Sequence, residues 1–167
     1  MKKLFALVMV FSFITSFLLA NSLELGSPAP QLKVLTDEGI TLDLGEALLA
    51  GTTLVFFYPK AMTPGCVKQA CSLRDGWDEL QSRDLRIFGV SSDTVKTQAQ
   101  FRDKYTLPFT LLADTDGKIA DAFSKSRWSR QAYLFKDGIL VWRDLMAATS
   151  KQATDILAAL DELEPNS

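Results

Sequence analysis

Residues 52–77 read TTLVFFYPKAMTPGCVKQACSLRDGW, and the rest of the chain can be read outward from this stretch. Leu54-Val55-Phe56-Phe57-Tyr58 is a short apolar run of β-branched and aromatic residues, which suits a strand buried on both faces. Pro59 ends it, because proline has no N–H for the ladder. Thr63-Pro64 reads as a helix start, with Thr63 as N-cap and Pro64 at the first helical position. Cys66 then falls in the first helical turn, where unpaired backbone N–H groups and the helix dipole favour negative charge. The thiolate is the reactive form of cysteine. The unit therefore presents an activated thiol at the carboxyl end of a central strand.

Cys71 lies five residues on. On a continuous helix that spacing is ~140° around the axis and ~7.5 Å along it, whereas a disulfide needs Cα atoms roughly 4.4–6.8 Å apart. A bridge between the two requires the helix to unwind locally. The helix is expected to run to about Leu80, with Gly76 costing about 1 kcal/mol and marking a kink.

Upstream, Leu23 to Pro30 reads as a linker. Gln31–Leu35 and Ile40–Leu44 read as a hairpin over Thr36-Asp37-Glu38-Gly39, followed by a short bridge from Gly45 to Gly51. Downstream come a strand over Leu85–Ser91, a helix over Val95–Tyr105, a strand over Phe109–Ala113 and a short helix over Ile119–Phe123. Gln131–Phe135 and Ile139–Arg143 pair over Lys136-Asp137-Gly138, with Asp-Gly a strong hairpin signal. Ser150–Leu160 closes the chain as an amphipathic helix capped by Thr149 or Ser150. Strands and helices in this order give an α/β layer fold. There is no internal repeat and no low-complexity segment.

The chain has 167 residues, 47% of them apolar, enough for one domain with a core of its own. A formal charge of −2 suggests no nucleic-acid partner. Histidine is absent, which removes a Cys–His catalytic pair and the commonest metal ligand. Two cysteines are too few for a Cys-rich structural zinc site. At the N-terminus, Met1-Lys2-Lys3 precedes an apolar run from Leu4 to Ala20, interrupted by Ser12, Thr15 and Ser16. Residues 1–22 are expected to be a signal peptide, cleaved after Ala20 or Ser22. A retained membrane anchor is the alternative. With no cysteine after the run, lipid attachment is not expected. Residues 23–167 would then form the exported domain, more acidic once Lys2 and Lys3 are gone.

The segment Phe57-Tyr58-Pro59-Lys60-Ala61-Met62-Thr63-Pro64-Gly65-Cys66, followed by Lys68-Gln69-Ala70-Cys71-Ser72-Leu73-Arg74-Asp75, resembles the peroxiredoxins. It is closest to those of the bacterioferritin-comigratory-protein or PrxQ type. The pattern Pro-x-x-x-Thr-x-x-Cys falls on Pro59, Thr63 and Cys66, and the subgroup's second cysteine falls on Cys71. Gly89-Val90-Ser91-Ser92-Asp93 and Lys104 to Phe109 are similar to later family blocks, so the resemblance spans about residues 24–162.

The resemblance implies a thioredoxin-like fold with a central mixed sheet flanked by helices. It implies a thiol peroxidase acting on hydrogen peroxide and organic hydroperoxides. Cys66 would be oxidised to a sulfenic acid, Cys71 would resolve it as an intramolecular disulfide, and a thioredoxin-like protein would restore both thiols. No metal, haem or flavin is required. A monomer or weak dimer in the periplasm is expected, with no stable membrane association after cleavage.

The resemblance also implies site roles. Thr63 would hydrogen-bond the sulfur or the peroxide oxygen, and Pro59 would shape and shield the pocket. A cation beside Cys66 would favour the thiolate and polarise a peroxide. The family's arginine opens a late strand; Arg130 fits that place, and Arg127 competes with it. The chain departs from the family at Ala61-Met62, where an acidic pair is common, at Val67, where threonine is common, and at Gln98, where histidine is frequent. Two rival readings remain open: an exported thiol-disulfide oxidoreductase, although that would want Cys-x-x-Cys, and an exported domain with one structural disulfide.

Overall fold

Strand β3 (Thr52–Phe57) lies at the centre of the molecule, and its pleat explains its composition. Successive side chains point to opposite faces. Leu54, Phe56 and Tyr58 enter one hydrophobic core and Val55 and Phe57 the other, all essentially without solvent exposure. Each such burial is worth roughly 1.5–3 kcal/mol, so a run apolar at every position is what a strand between two cores requires. The computed structural model describes residues 23–126 and 128–164. The expected signal peptide and Arg127 lie outside the described residues.

The other elements, in order, are β1 (Lys33–Thr36), β2 (Thr41–Asp43), α1 (Leu44–Leu48), α2 (Pro64–Asp75), α3 (Trp77–Ser82), β4 (Leu85–Ser91), α4 (Val95–Tyr105), β5 (Thr110–Ala113), α5 (Lys118–Ala122), β6 (Gln131–Lys136), β7 (Ile139–Asp144) and α6 (Gln152–Leu163). They build a mixed seven-stranded sheet of order β2-β1-β5-β4-β3-β6-β7. β3 runs parallel to β4, and β4 to β5, while β6 pairs antiparallel with β3. Side chains of α2, α3, α4 and α6 cover one face; those of α1 and α5 cover the other. Gly89 faces Phe56 across the β3–β4 ladder, and a Cβ there would meet the Phe56 ring at 2.8 Å. The missing side chain leaves room for that ring and for Leu111. The β6–β7 hairpin turns as expected through Asp137 and Gly138, both at positive φ (49° and 81°), the backbone that Asp-Gly supplies.

Three expectations change. The helix expected from Pro64 to about Leu80 is two helices, α2 and α3, broken at Gly76 (φ −90°, ψ 11°). A Cβ on Gly76 would lie 2.9 Å from the Ala153 Cβ, so the missing side chain leaves room for α6 at the break. The last helix starts at Gln152, and neither Thr149 nor Ser150 caps it. The Ala153 N–H, unpaired within its own helix, is instead satisfied across the helix pair by Ser72 Oγ, at 3.1 Å. Thr63 does occupy the N-cap position of α2, but its hydroxyl caps no backbone N–H. Among the described residues, no helix is long and apolar enough to cross a membrane.

Candidate active site

Strand β3 ends at Phe57, and residues 58–63 loop out before α2 begins. Cys66, the third residue of α2, is fully buried at the base of this loop. Two donors converge on its sulfur. Thr63 Oγ1 lies 3.0 Å away and Arg130 Nη1 lies 3.3 Å away. The hydroxyl also sits 2.9 Å from the Lys60 carbonyl. It has one proton, so it serves the carbonyl or the sulfur, and an anionic sulfur is the stronger acceptor. Arg130 cannot lose its charge. The sulfur is therefore enclosed by an uncharged donor, a fixed cation and the amino end of a twelve-residue helix, all of which favour an anion there.

The guanidinium is held from several sides. Arg130 Nη1 also donates to Gln69 Oε1 at 3.0 Å. Gly65 leaves it room, because a Cβ at that position would lie 2.7 Å from Arg130 Nη2. The Arg130 carbonyl accepts from Ala147 N–H at 3.1 Å, which ties the start of β6 to the loop before α6. Pro59 stands half-buried between buried Tyr58 and exposed Lys60. The structure thus brings Cys66, Thr63 and Arg130 together. The expected competitor Arg127 lies outside the described residues.

Cys71 lies on the same unbroken helix, partly exposed, and both cysteines are free thiols. Partial burial pushes the Cys71 thiol up, with Arg74 opposing and Asp75 adding to it. At neutral pH Cys71 therefore rests as a thiol.

A second layer that the sequence reading left unassigned fixes the loop. Asp93 Oδ2 accepts from Ala61 N–H at 2.7 Å and from Ser91 Oγ at 2.7 Å. Gln98 Nε2 donates to Ser91 Oγ at 3.0 Å and to the Leu112 carbonyl at 2.8 Å, and Gln98 Oε1 takes the Tyr58 hydroxyl. Burial pushes the Tyr58 phenol far up, so it stays protonated and donates. This network holds Ala61 next to Met62, whose φ of 64° is unusual for a residue with a side chain. Gln69 also went unassigned, although its i+3 spacing from Cys66 places both on one helix face. A cleft of about 290 Å³ opens beside the loop, lined by Phe57, Ser91, Asp114 and Lys125 among others, but not by Cys66. Burial pushes the Lys125 ammonium down to about 8, with Asp114 opposing.

The chain is similar to known proteins along most of its length. Residues 25–143 match the AhpC/TSA family. The peroxiredoxin Bcp of Escherichia coli strain K12 is 38% identical over 121 residues, covering 71% of this chain and 76% of that protein. The peroxiredoxin Bcp of Bacillus subtilis strain 168 is 41% identical over 103 residues, covering 61% and 64%. The solved structure of the Xanthomonas campestris bacterioferritin comigratory protein, described by its alkyl peroxide reduction activity, superposes with a TM-score of 0.76 at 25% identity, over 86% of this chain and 99% of that one. None of these relatives is a disulfide oxidoreductase by name, so the rival reading gains no support. The chain belongs to the AhpC/TSA family, as a thioredoxin-fold peroxiredoxin of the bacterioferritin-comigratory-protein type, and is a thiol peroxidase.

Proposed function

We propose that Cys66 is the peroxide-reactive thiol and Cys71 the resolving one. The observation that carries this reading is the convergence of Arg130 Nη1 and Thr63 Oγ1 on the buried Cys66 sulfur. The Cys66 thiolate attacks the terminal oxygen of a hydroperoxide, the O–O bond breaks, and the alkoxide or hydroxide leaves and takes up a proton. Arg130 and Thr63 donate to the sulfur and oxygens as charge moves across them, and Pro59 shapes the loop around them. Cys66 is left as a sulfenic acid. The Cys71 sulfur then attacks it, forming the Cys66–Cys71 disulfide and releasing water. A thioredoxin-like dithiol protein reduces the disulfide in two exchange steps. No metal or organic cofactor enters. Hydrogen peroxide and small organic hydroperoxides are the proposed substrates; the alkyl peroxide activity of the Xanthomonas campestris relative supports the latter.

Dithiol-dependent peroxide consumption by the wild type, by Cys66→Ser and by Cys71→Ser tests the scheme. Loss in the first variant and single-turnover activity in the second are expected. Undiminished turnover by Cys66→Ser would overturn it.

The basic start and apolar run of residues 1–20 support export to the periplasm, leaving a domain of residues 23–167 as a monomer or weak dimer. N-terminal sequencing of the fractionated protein tests this. A chain beginning near Asn21 or Leu23 in the soluble periplasmic fraction is expected; an uncleaved chain in washed membranes would refute it.

A further inference from the structure

We propose that Gln152, at the start of the last helix, is a positioning residue for peroxide reduction that acts through Gln69 on Arg130. Three side chains form a chain of hydrogen bonds. Arg130 Nη1 donates to Gln69 Oε1 at 3.0 Å, and Gln69 Nε2 donates to Gln152 Oε1 at 2.8 Å. Both glutamines are fully buried. The direction of the chain is forced. A guanidinium only donates, so Gln69 must turn its oxygen toward Arg130. Its NH₂ then faces Gln152, which must turn its own oxygen inward. The consequence is an orphan: Gln152 Nε2 is buried with no hydrogen-bond partner. Leaving a buried donor unmade is destabilising, and a buried unsatisfied group in a native structure calls for a reason. Orientation of the active-site cation supplies one.

The Gln69 amide has little else to orient it. Its other acceptor, the Phe57 carbonyl, is at 3.5 Å, the long limit of a hydrogen bond. Without Gln152 the amide can turn, and Arg130 Nη1 then loses the partner it holds besides Cys66. Gln152 touches neither sulfur nor substrate, so its effect on the reaction is indirect.

The assignment rests on Cys66 as the peroxide-reactive thiol, and the test separates the two claims. Gln152→Leu keeps the volume while removing both the orienting oxygen and the orphaned NH₂. In a Cys71→Ser background, three properties are measured: the rate of Cys66 oxidation by peroxide, the pH profile of Cys66 alkylation by iodoacetamide, and the thermal midpoint. The expected result is oxidation about three- to tenfold slower, the loss of one hydrogen bond, with alkylation displaced to higher pH. The thermal midpoint should be nearly unchanged, because the orphaned Gln152 NH₂ is removed while Gln69 Nε2 loses its acceptor. Because Gln152 acts through Gln69, the substitution should add nothing in a Gln69→Leu background. Slowing of equal size in both backgrounds overturns the proposal, and so does slowing that merely follows a fall in thermal midpoint, or no slowing at all. Should Gln69→Leu not fold, rate against midpoint in Gln152→Leu decides alone. If Cys66 were not the peroxide-reactive thiol, peroxide reduction would survive in Cys66→Ser, whereas the alkylation profile would still report on Gln152.

Discussion

Arg130 Nη1 lies 3.3 Å from Cys66 Sγ, although 64 residues separate the two in sequence. The sheet register brings this about. Gln131, the first residue of β6, pairs with Phe57, the last of β3. Arg130 thus stands just before the edge from which the loop to Cys66 departs. Arg130→Ala should slow single-turnover oxidation of Cys66 by about 10²-fold, the scale for loss of one preorganised charge-stabilising donor. Arg130→Lys should recover only part of this, since an ammonium on a flexible stem is not held in place as the rigid guanidinium is, whose Nη1 donates to both Cys66 and Gln69. Stopped-flow oxidation rates decide, and a wild-type rate in Arg130→Ala would remove the arginine from the site.

Gly65 separates stability from activity. It is the second residue of α2, where alanine is favoured over glycine by at most the roughly 0.5–1 kcal/mol of a helix interior. Yet an added Cβ would lie 2.7 Å from Arg130 Nη2 and displace the guanidinium. Gly65→Ala should therefore leave thermal stability nearly unchanged and slow Cys66 oxidation. Activity equal to wild type would mean that Arg130 can relax without loss.

Reduced α2 is continuous through Cys66 and Cys71, and their spacing does not permit a bridge on an intact helix. Disulfide formation should open the helix between them. Amide exchange over Val67–Ser72 should be slow in the reduced protein and fast in the oxidised one. Gln69 and Ser72 lie within that stretch, so the Gln69–Gln152 bond and the Ser72 cap on Ala153 should be lost with it. Equal protection in both states would refute the resolving role of Cys71.

The Cys71 thiol is pushed up chiefly by burial, with Asp75 adding and Arg74 opposing. The attacking species in the proposed resolving step is its thiolate. That step should accelerate as pH rises through and above the ordinary cysteine range. Asp75→Asn should move the resolving step toward lower pH. Rapid-quench measurement of disulfide formation after a peroxide pulse checks this; a pH-independent step would contradict it.

Lys125 lies over the Phe57 ring, 5.2 Å from its centroid, and burial lowers it from 10.5 to about 8. Between those values the unfolded chain keeps a proton that the folded chain has released, so this group's contribution to stability rises with pH from about 8 to 10.5 and its penalty is complete below 8. Lys125→Met should stabilise the protein most at neutral pH and flatten that rise. Denaturant titrations at several pH values test it, and a parallel shift at every pH would exclude the linkage.

Much of this was legible in the sequence because the signals were local. A strand buried on both faces shows itself in Leu54–Tyr58, a helix start in Thr63-Pro64, and a hairpin in Asp137-Gly138; each depends on backbone preferences of a few adjacent residues. The strand Leu85–Ser91 and the helix Val95–Tyr105 fall where periodicity puts them. Cys66, Thr63 and Arg130 were legible through their match to a family pattern and now stand in one cluster. Tertiary structure decided what depends on distant partners. Gly76, where the helix breaks, has room for Ala153 of the last helix only because it lacks a side chain, and Ser72 of one helix caps the start of another. Glutamine carries no periodic or charge signal that separates a surface amide from a buried one. The roles of Gln69, Gln98 and Gln152 emerge only when packing removes water and leaves each amide one set of partners, here Arg130, Ser91 and one another.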